Sequence, residues 1–406
     1  MSSQSSALGQ QPLRTVQVLG GGSAGSSAHV RSLAAGLAAR GVRVAVCAPS
    51  AVDRLQDFGA AGAHHIPVAR SSDPAALASL RGACADADLV HAHGLHAGMR
   101  AALALGGLRT PLVVTWHTRA YAEGARAPLL RLLEKRVARA ASVVLAPSSD
   151  LVLRARRRGA RDARYAPTAF PAPPAGSRLV PADAEARRNK TRAELGAVDR
   201  PLLVAVGSLE RHRGYGTLLD AARQWARAET PPLLVIAGEG PERSGLQARV
   251  WAEELPVRLL GRREDAAELI AAADLAVLPS RWEARSVLAQ QALVAGVPLV
   301  ASRVGGIPEL VGDGAALVPY GDPGALAATV LRLLDDAPGR RELARRGRRQ
   351  AASWPTEDAT GPAAGGELAD RGRHGRPGAE CLRRTDLPAC RPLSPARGRH
   401  VDASSS

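Results

Sequence analysis

Residues 275–310 restrict the possible fold more than any other stretch of the chain. The stretch reads as a short apolar strand, a polar loop, a helix beginning at Val287, a helix stop at Gly296 and Pro298, and a second buried strand. Strands joined through a helix in this way run parallel, because a parallel pair requires a long crossover connection. The helix N-terminus then lies at the carboxyl edge of the sheet, where open α/β folds bind anionic ligands. The stretch therefore predicts an α/β fold with a ligand site at this edge.

The same alternation of strands and helices fills most of the 406 residues, in two blocks. A proline-rich break at residues 170–176 separates the blocks. A chain of this length can form two domains, each with its own core. We predict two doubly wound, Rossmann-like domains with these boundaries: a disordered N-terminus over 1–11, an N-terminal domain over 12–170, a linker over 171–200, a C-terminal domain over 201–352, and a disordered tail over 353–406.

The predicted tail differs in character from both domains. Residues 353–406 are rich in Gly, Pro and Arg and lack hydrophobic periodicity. Such a segment cannot bury a core, so we predict that it is disordered. We hypothesise that it is translated out of frame; an apolar helical continuation in another reading frame of the gene would support this.

The charge of the chain is strongly positive, at +16, with aromatic residues at only 3%. Lys135 and Lys190 are the only lysines, so the arginine excess indicates a compositional bias of the whole sequence. No basic run is interleaved with aromatic residues, as binding to single-stranded nucleic acid would require, and no nucleic-acid partner is expected. The Arg154–Arg158 cluster is expected to form a solvated helical face, with an anionic membrane surface as the alternative partner.

The cysteines and the hydrophobic pattern indicate the compartment. The four cysteines show neither CxxC spacing nor a paired framework, which favours a reduced cytoplasmic setting. The polar first eleven residues lack the basic and apolar regions of a signal peptide, and no run of about 18 apolar residues predicts a membrane span. We expect a cytoplasmic protein, with peripheral contact at the inner membrane face as an open alternative.

A glycine-rich turn follows the first strand. Gly20, Gly22 and Gly25 satisfy the G-x-G-x-x-G spacing of dinucleotide-binding loops. That fingerprint expects an acidic residue after the second strand, but the second strand here ends at Cys47 without one. We therefore interpret the turn, with Gly21 and Gly22, as a backbone-amide cradle for an anion or a sugar. An NAD-dependent oxidoreductase is the less favoured alternative.

Two groups of residues resemble metal ligands. His91, His93 and His96 lie close in sequence, but no cysteine or carboxylate joins them, which disfavours a metal site. Asp86 and Asp88 form a D-x-D, but they precede their strand and so lie at the edge opposite the ligand. We expect no bound metal and no other cofactor.

A series of short motifs stands at the strand ends of both blocks. In chain order these are Gly20-Gly21-Gly22-Ser23, Val114-Thr115-Trp116-His117, Val206-Gly207-Ser208-Leu209 with Arg213-Gly214, Gly238-Glu239-Gly240-Pro241, Ala273-Asp274, Glu283 with its helix, and Gly305-Gly306-Ile307-Pro308-Glu309. In this order and spacing they resemble the retaining family 4 glycosyltransferases, from the first strand to about Trp354. The resemblance implies the GT-B fold, in which two Rossmann-like domains face each other across a cleft.

The resemblance also implies the reaction. The C-terminal domain would bind a nucleotide-sugar, with UDP or GDP as the nucleotide, and the N-terminal domain a carbohydrate or lipid-linked acceptor. A hexosyl group would move with retention by front-face substitution, the leaving phosphate taking the acceptor proton. Transfer in this fold generally needs no bound metal.

The family pattern assigns roles to individual residues. Glu283 matches a glutamate that bonds hydroxyls of the donor sugar, His117 matches the active-site histidine near that sugar, and Arg213 matches a lysine that neutralises the diphosphate. A second family glutamate, eight positions later, is Gln291 here. Eight helical residues would rise roughly 12 Å, which places Gln291 near the donor ribose. An amide offers the ribose one acceptor where a carboxylate offers two, although Gln291 could still bond it.

A second departure concerns the diphosphate. Ser208 stands where the family has an arginine, and we hypothesise that Arg211 compensates. The backbone N–H groups of Arg285, Ser286 and Val287, at the start of the helix, could supply the remaining donors. The departures at Ser208 and Gln291 favour one alternative in particular: a catalytically weakened relic that binds a nucleotide-sugar or a partner protein.

Overall fold

The two blocks of strands form two separate, wholly parallel sheets. A computed structural model describes residues 12–20, 24–69, 73–119, 126–167 and 181–354, and all structural statements concern these ranges. The predictions for the N-terminus, for Gly21 and Gly22, and for residues 355–406 of the tail fall outside them.

The N-terminal half alternates strand and helix in almost regular order. Its elements are β1 (Arg14–Leu19), α1 (Ala24–Ala38), β2 (Arg43–Ala48), α2 (Ser50–Gln56), β3 (His64–Pro67), α3 (Pro74–Ala85), β4 (Leu89–His93), α4 (Leu95–Ala104), β5 (Leu112–Thr115), α5 (Arg126–Ala140), β6 (Val143–Ala146), α6 (Ser149–Arg157) and β7 (Ala163–Tyr165). The sheet order is β3-β2-β1-β4-β5-β6-β7. From β1 the chain proceeds through β2 to β3 at one edge of the sheet, and from β4 it proceeds through β5 and β6 to β7 at the other edge. This change of direction makes the sheet doubly wound, as predicted.

The C-terminal half repeats the arrangement. Its elements are α7 (Pro181–Glu194), β8 (Leu202–Val206), a 3-10 turn (Arg211–Arg213), α8 (Tyr215–Trp225), β9 (Leu233–Ala237), α9 (Arg243–Ala252), β10 (Val257–Gly261), α10 (Ala266–Ala272), β11 (Leu275–Leu278), α11 (Val287–Ala295), β12 (Leu299–Ser302), α12 (Ile307–Val311), β13 (Ala316–Val318), α13 (Pro323–Asp335) and α14 (Ala337–Ala352). Six strands form the second sheet, in the order β10-β9-β8-β11-β12-β13.

Four helices were not predicted from the sequence: α2, α3, α4 and α7. Helices α2 and α3 are short or nearly uniform in hydrophobicity, and α4 begins directly after the histidines at the end of β4. Helix α7 lies inside the region predicted as a linker, residues 171–200. It packs on α10 and is tied to the second sheet because Arg188 and Arg192 both donate to Asp274. Asp274, one of the family motifs, also accepts from the backbone of Leu202, so its role in this chain is structural.

Carboxylates bind both the N-cap serine and two arginines of helix α6. Ser148 occupies the N-cap, but its hydroxyl donates to Asp150 at 2.6 Å and does not cap the helix. Arg154 and Arg158, expected on a solvated face, both donate to the carboxylate of Glu134, whose side chain is 3% exposed. A buried carboxylate requires such partners, so the prediction of a fully solvated face was wrong for these two residues.

The two halves share part of one hydrophobic core. Parallel sheets are covered on both faces, and the central strands of both sheets are accordingly almost continuously buried. Trp282 and Ala284, from the loop after β11, belong to the same buried cluster as Val114 and Trp116 of the N-terminal half. The loop that contains Glu283 is therefore packed against the first sheet as well as the second. None of the helices described here has the length and hydropathy needed to cross a membrane.

Candidate active site

Two loops of the second sheet meet at its carboxyl edge. One follows β8 and ends at Gly214, and the other runs from Pro279 to Ser286. The N–H of Arg281 donates to the carbonyl of His212 at 2.9 Å, which joins the loops. Gly214 has a φ of +75°, and a Cβ there would lie 2.1 Å from the carbonyl oxygen of Pro279. Only glycine allows this approach, and it positions the adjacent Arg213 over the second loop.

Arg213 and Glu283 form an ion pair at this junction. The guanidinium Nη1 donates to Glu283 Oε1, which also accepts from the hydroxyl of Ser280 at 2.9 Å. The side chains of Arg213 and Glu283 are 30% and 11% exposed, so both are mostly buried and Arg213 is the more accessible of the two. Arg213 Nε has no hydrogen-bond partner among the described residues. Since a guanidinium has five N–H groups, Arg213 keeps donors for a further anion.

The start of α11 lies directly after this pair. Ser286 is the N-cap, and its hydroxyl accepts from the N–H of Ala289. The backbone N–H groups of Arg285, Ser286 and Val287 make no hydrogen bond to any residue described here. These free donors and the positive end of the helix dipole lie where the sequence predicts an anion-binding position, which stays a prediction.

The side chains near α11 only partly match their expected roles. The guanidinium of Arg285 contacts Gln290 and lies 5.7 Å from the centre of the Trp354 ring. Only the backbone N–H of Arg285 therefore remains available to an anion at the helix N-terminus. Gln291 is half-buried and has no hydrogen-bond partner in the described part of the chain. The estimate of about eight helical residues between Glu283 and Gln291 was wrong, because α11 begins only at Val287.

Ser208 and Arg211 lie on the loop after β8. Ser208 is half-buried, and its carbonyl accepts from the N–H of Glu210. Arg211 is exposed in the 3-10 turn, and none of the residues described here bonds its side chain. It is therefore free to contact a ligand, as the compensation hypothesis requires.

The double-glycine turn after β12, Gly305-Gly306, packs against the loop that contains Glu283. The N–H of Gly306 donates to the carbonyl of Glu283 at 2.9 Å. A Cβ on Gly306 would lie 2.5 Å from the carbonyl oxygen of Ala284 and 2.6 Å from Ser148 Cβ. The turn thus packs against the Glu283 loop on one side and against the side chain of Ser148, from the N-terminal half, on the other.

Two hydrogen bonds join the halves around this point. Trp282 Nε1 donates to Asp150 at 2.7 Å, and the N–H of Ser149, at the start of α6, donates to the carboxylate of Glu309 at 3.2 Å. A carboxylate is favoured at a helix N-terminus. Glu309, the last residue of the glycine motif, therefore helps to hold the Glu283 loop against the N-terminal half.

His117 belongs to a histidine cluster on the N-terminal side of the site. Its Nε2 lies 3.1 Å from His93 Nδ1, and His93 Nε2 lies 3.0 Å from Gln17 Oε1. His91 Nε2 lies 2.7 Å from the hydroxyl of Thr115. The ring of His29, from α1, lies edge-on to His117 at 5.4 Å between centroids. The four histidines thus form one cluster, which the sequence analysis did not predict.

Burial keeps the cluster uncharged. Desolvation, with a smaller contribution from neighbouring histidines, lowers the pKa of His91 to about 3 and holds the pKa values of His93 and His117 well below their usual range. Burial also lowers the pKa of His29 to about 4. At neutral pH each ring therefore has one N–H donor and one bare nitrogen acceptor.

We expect the free energy of unfolding to decrease as the pH falls below about 6.5, where histidine titrates in an unfolded chain. Below that pH the unfolded state binds protons that His91 and His93 do not bind when folded, so stability is present above it and is lost towards the folded-state pKa. Each such histidine should contribute a slope of about 1.4 kcal/mol per pH unit. Urea titrations from about pH 7.5 to about pH 5.5 measure this slope. His91→Asn should reduce it, and an unchanged slope would contradict the assignment.

Several residues of the site were not found in the sequence. Ser280, Asp150 and Gln17 were missed, and so was the contact of His29. For Gln17 a signal was present: β1 and β4 have polar residues at alternate positions of otherwise apolar strands, and parallel strands are normally apolar on both faces. No local signal marks Ser280 or Asp150, because their roles depend on partners brought close by folding.

The structure also bears on the residues considered as metal ligands. In the described ranges no group of three or more His, Cys, Asp or Glu side chains is arranged to hold a metal ion. Asp88 of the D-x-D accepts from the N–H of Arg14, at the amino end of the sheet and away from the candidate site.

Comparison with known proteins gives matches to both halves of the chain. The family model described as "Glycosyl transferase 4-like domain" matches residues 24–171, and the one described as "Glycosyl transferases group 1" matches residues 187–350. Alpha-D-kanosaminyltransferase of Streptomyces kanamyceticus is 31% identical over 278 residues, which is 64% of this chain and 70% of the relative.

Other curated relatives match over a smaller share of their length. Glycogen synthase of Mycobacterium tuberculosis is 37% identical over 164 residues, 38% of this chain and 39% of the relative. A GDP-mannose-dependent monoacylated alpha-(1-6)-phosphatidylinositol monomannoside mannosyltransferase of Corynebacterium glutamicum is 32% identical over 192 residues, 44% of this chain and 50% of the relative. The chain thus spans half of these two relatives or less.

Solved structures share the architecture. Anabaena HepE, crystallised with UDP and glucose, has a TM-score of 0.74 at 20% identity, over 88% of this chain and 99% of that one. Sucrose-phosphate synthase of Thermosynechococcus elongatus has a TM-score of 0.70 at 21% identity, over 88% and 98%. These two likenesses concern the fold. Because family models match both halves and a kanosaminyltransferase is matched over more than two thirds of its length, the chain belongs to the family 4 glycosyltransferases of GT-B fold, as its motifs predicted.

Proposed function

We propose that this glycosyltransferase moves a hexosyl group from a nucleotide-sugar, with UDP or GDP as the nucleotide, to a carbohydrate or lipid-linked acceptor, with retention. The observation that carries the proposal is the paired Arg213 and Glu283 beside the free N–H groups of α11. A diphosphate needs cations or oriented amides, and a sugar needs carboxylate acceptors; the two kinds of group lie side by side here.

Each group of the site takes one part of the donor in this proposal. The guanidinium N–H groups of Arg213 that do not bond Glu283, and the amides of Arg285, Ser286 and Val287, hold the diphosphate. Glu283 accepts from hydroxyls of the hexose, and Gln291 from the ribose. His117 contacts the hexose from the N-terminal side. Gly21 and Gly22 retain their predicted role as a cradle for the same ligand.

The proposed step needs no protein base. The bond between the anomeric carbon and the phosphate oxygen breaks, and the acceptor oxygen bonds to the same face of that carbon. The acceptor proton passes to the leaving phosphate oxygen, so charge and atoms balance within the substrates. Arg213 and the helix amides stabilise the negative charge that develops on the leaving diphosphate.

Donor turnover tests the proposal. The purified full-length chain would be incubated with a panel of UDP- and GDP-sugars, while released nucleotide and the anomeric configuration of the product are followed. Turnover of one donor with retention would support the proposal. Nucleotide binding seen by thermal shift without turnover would favour the weakened relic. NADH binding alone would favour the oxidoreductase.

Restoring the two family residues should raise activity. We expect Ser208→Arg and Gln291→Glu each to increase kcat/KM for the donor by about ten-fold, because each supplies a charged partner to a group that lacks one. Val294→Glu is the matched control for the second change, since it adds the same charge to an exposed position of α11. If neither reversion exceeds the control, the ribose and diphosphate assignments are wrong.

We further propose peripheral contact with an anionic membrane, which would bring a lipid-linked acceptor to the cleft. Leu129 and Leu132 of α5 and Leu153 of α6 are 58%, 50% and 51% exposed, among arginines. Apolar side chains within a basic surface favour such a membrane. Flotation with vesicles of phosphatidylcholine and phosphatidylglycerol should recover the protein, and Leu129→Ser with Leu132→Ser should reduce recovery. Equal recovery of both proteins would contradict the contact. A cytoplasmic location stays a prediction.

Independence from metal ions is likewise a proposal. It is supported by the position of Asp88, which lies at the amino end of its sheet and bonds the backbone of Arg14. We expect EDTA to leave donor turnover unchanged. A loss of turnover that Mg²⁺ or Mn²⁺ restores would overturn this part of the proposal.

A further inference from the structure

A chain of hydrogen bonds runs from the centre of the first sheet to His117. Gln17 lies on β1, His93 is the last residue of β4, and His117 follows the end of β5 by two residues. These three strands are neighbours in the sheet. His93 lies 3.0 Å from Gln17 through Nε2 and 3.1 Å from His117 through Nδ1. The planes of the two rings differ by 19°, with centroids 5.4 Å apart, which suits a bond in the plane of both rings. Gln17 and His93 are 0% and 5% exposed.

The amide oxygen of Gln17 sets the direction of every proton in this chain. An amide oxygen only accepts, so His93 Nε2 must be its donor. A neutral His93 then has a bare Nδ1, which accepts from His117 Nε2–H. A neutral His117 is in turn left with a bare Nδ1. The tautomer of His117 thus depends on Gln17, which is two hydrogen bonds away through His93.

We propose that Gln17 and His93 are positioning residues that hold His117 as its Nε2–H tautomer, with Nδ1 presented as a hydrogen-bond acceptor. The proposal rests on the proposed function, in which His117 contacts the donor sugar. An acceptor nitrogen at this place selects for a hydroxyl group and against the diphosphate of a nucleotide-sugar, which has no proton to donate at neutral pH. The edge-on ring of His29, 5.4 Å from His117, restricts rotation of the imidazole out of this position.

The strand itself provides a matched control. Thr15 lies two residues before Gln17 on β1 and is 5% exposed, and its hydroxyl has no hydrogen-bond partner among the described residues. Side chains two apart on a strand share one face, so Thr15 lies on the same face of β1 as Gln17 but has no place in the bond chain. Thr15→Val therefore removes a buried polar group from this face without affecting His93.

The test measures the tautomer directly and needs no turnover. Long-range ¹H–¹⁵N correlation spectra of the full-length protein with ¹⁵N-labelled histidine, assigned with His117→Asn, distinguish a protonated from a bare ring nitrogen. We expect His117 to have a protonated Nε2 and a bare Nδ1. Gln17→Met, which keeps the length of the side chain without its acceptor, should give a mixture of tautomers, and Thr15→Val should give the unchanged spectrum.

Activity provides the second readout once a donor is known. Gln17→Met should lower kcat/KM by about ten-fold, the effect of one lost hydrogen bond to the substrate, while Thr15→Val should not. A wild-type His117 protonated at Nδ1, as the opposite orientation of the Gln17 amide would require, overturns the proposal. So does an unchanged tautomer in Gln17→Met. If no donor is turned over, the proposed function fails while the spectra still decide the tautomer.

Discussion

Replacing Arg213 with alanine is expected to lower kcat/KM for the nucleotide-sugar by about 10² to 10³-fold, the usual effect of removing one preorganised charge-stabilising donor. Arg213 is held at the loop junction by Gly214 and by its pairing with Glu283. The N–H groups of Arg213 that do not bond Glu283 lie beside this carboxylate. Without them the remaining donors for the leaving diphosphate would be the amides of α11 and Arg211.

A second arginine separates this effect from a general loss of charge. Arg223 of α8 pairs with Glu253 on an exposed surface, with a side chain that is 53% exposed. Arg223→Ala removes the same positive charge from the same half, so it should leave kcat/KM unchanged. Steady-state kinetics of both variants, with the donor identified in the panel, make the comparison. Equal activities would show that Arg213 is a structural ion-pair partner only.

Replacing Gly306 with alanine should reduce kcat/KM by about 100-fold, because displacements of about 1 Å at a catalytic loop can have effects of this size. The new Cβ would lie 2.5 Å from the carbonyl oxygen of Ala284 and 2.6 Å from Ser148 Cβ, and one of the two must move. Any movement of the Ala284 carbonyl also displaces the backbone of Glu283. Overpacking of this kind should also reduce stability by about 1–3 kcal/mol.

Gly245 offers a control within the same half of the protein. It lies inside α9, and a Cβ there would meet nothing within 4 Å. Gly245→Ala should therefore raise stability by about 0.5–1 kcal/mol through the better helix propensity of alanine, without changing kinetics. Urea unfolding and donor turnover measured on both variants test the contrast. If Gly306→Ala behaves like Gly245→Ala, the close contact between the halves does not position Glu283.

The sequence located the candidate site at a sheet edge but did not predict which of its side chains pair with each other. Ser286 and Val287 were placed correctly at the start of a helix, because an N-cap serine before an apolar periodic run is a local signal. The pairing of Arg213 with Glu283 was not predicted, since the motifs had assigned them to different parts of the donor. The helix within the presumed linker was also missed, as α7 is highly polar and gains its order from Asp274.

By itself, the sequence determined the element order and the edge at which the site lies. The apolar runs at residues 202–206, 233–237 and 275–278 coincide with β8, β9 and β11, because apolar runs ended by glycine or proline are local features. Only the tertiary structure decided which side chains touch. Arg213 and Glu283 are 70 residues apart, Gln17 and His93 are 76 apart, and Asp150 and Trp282 are 132 apart. Contacts over such separations depend on how the sheets and their loops pack, and no local pattern specifies the partner.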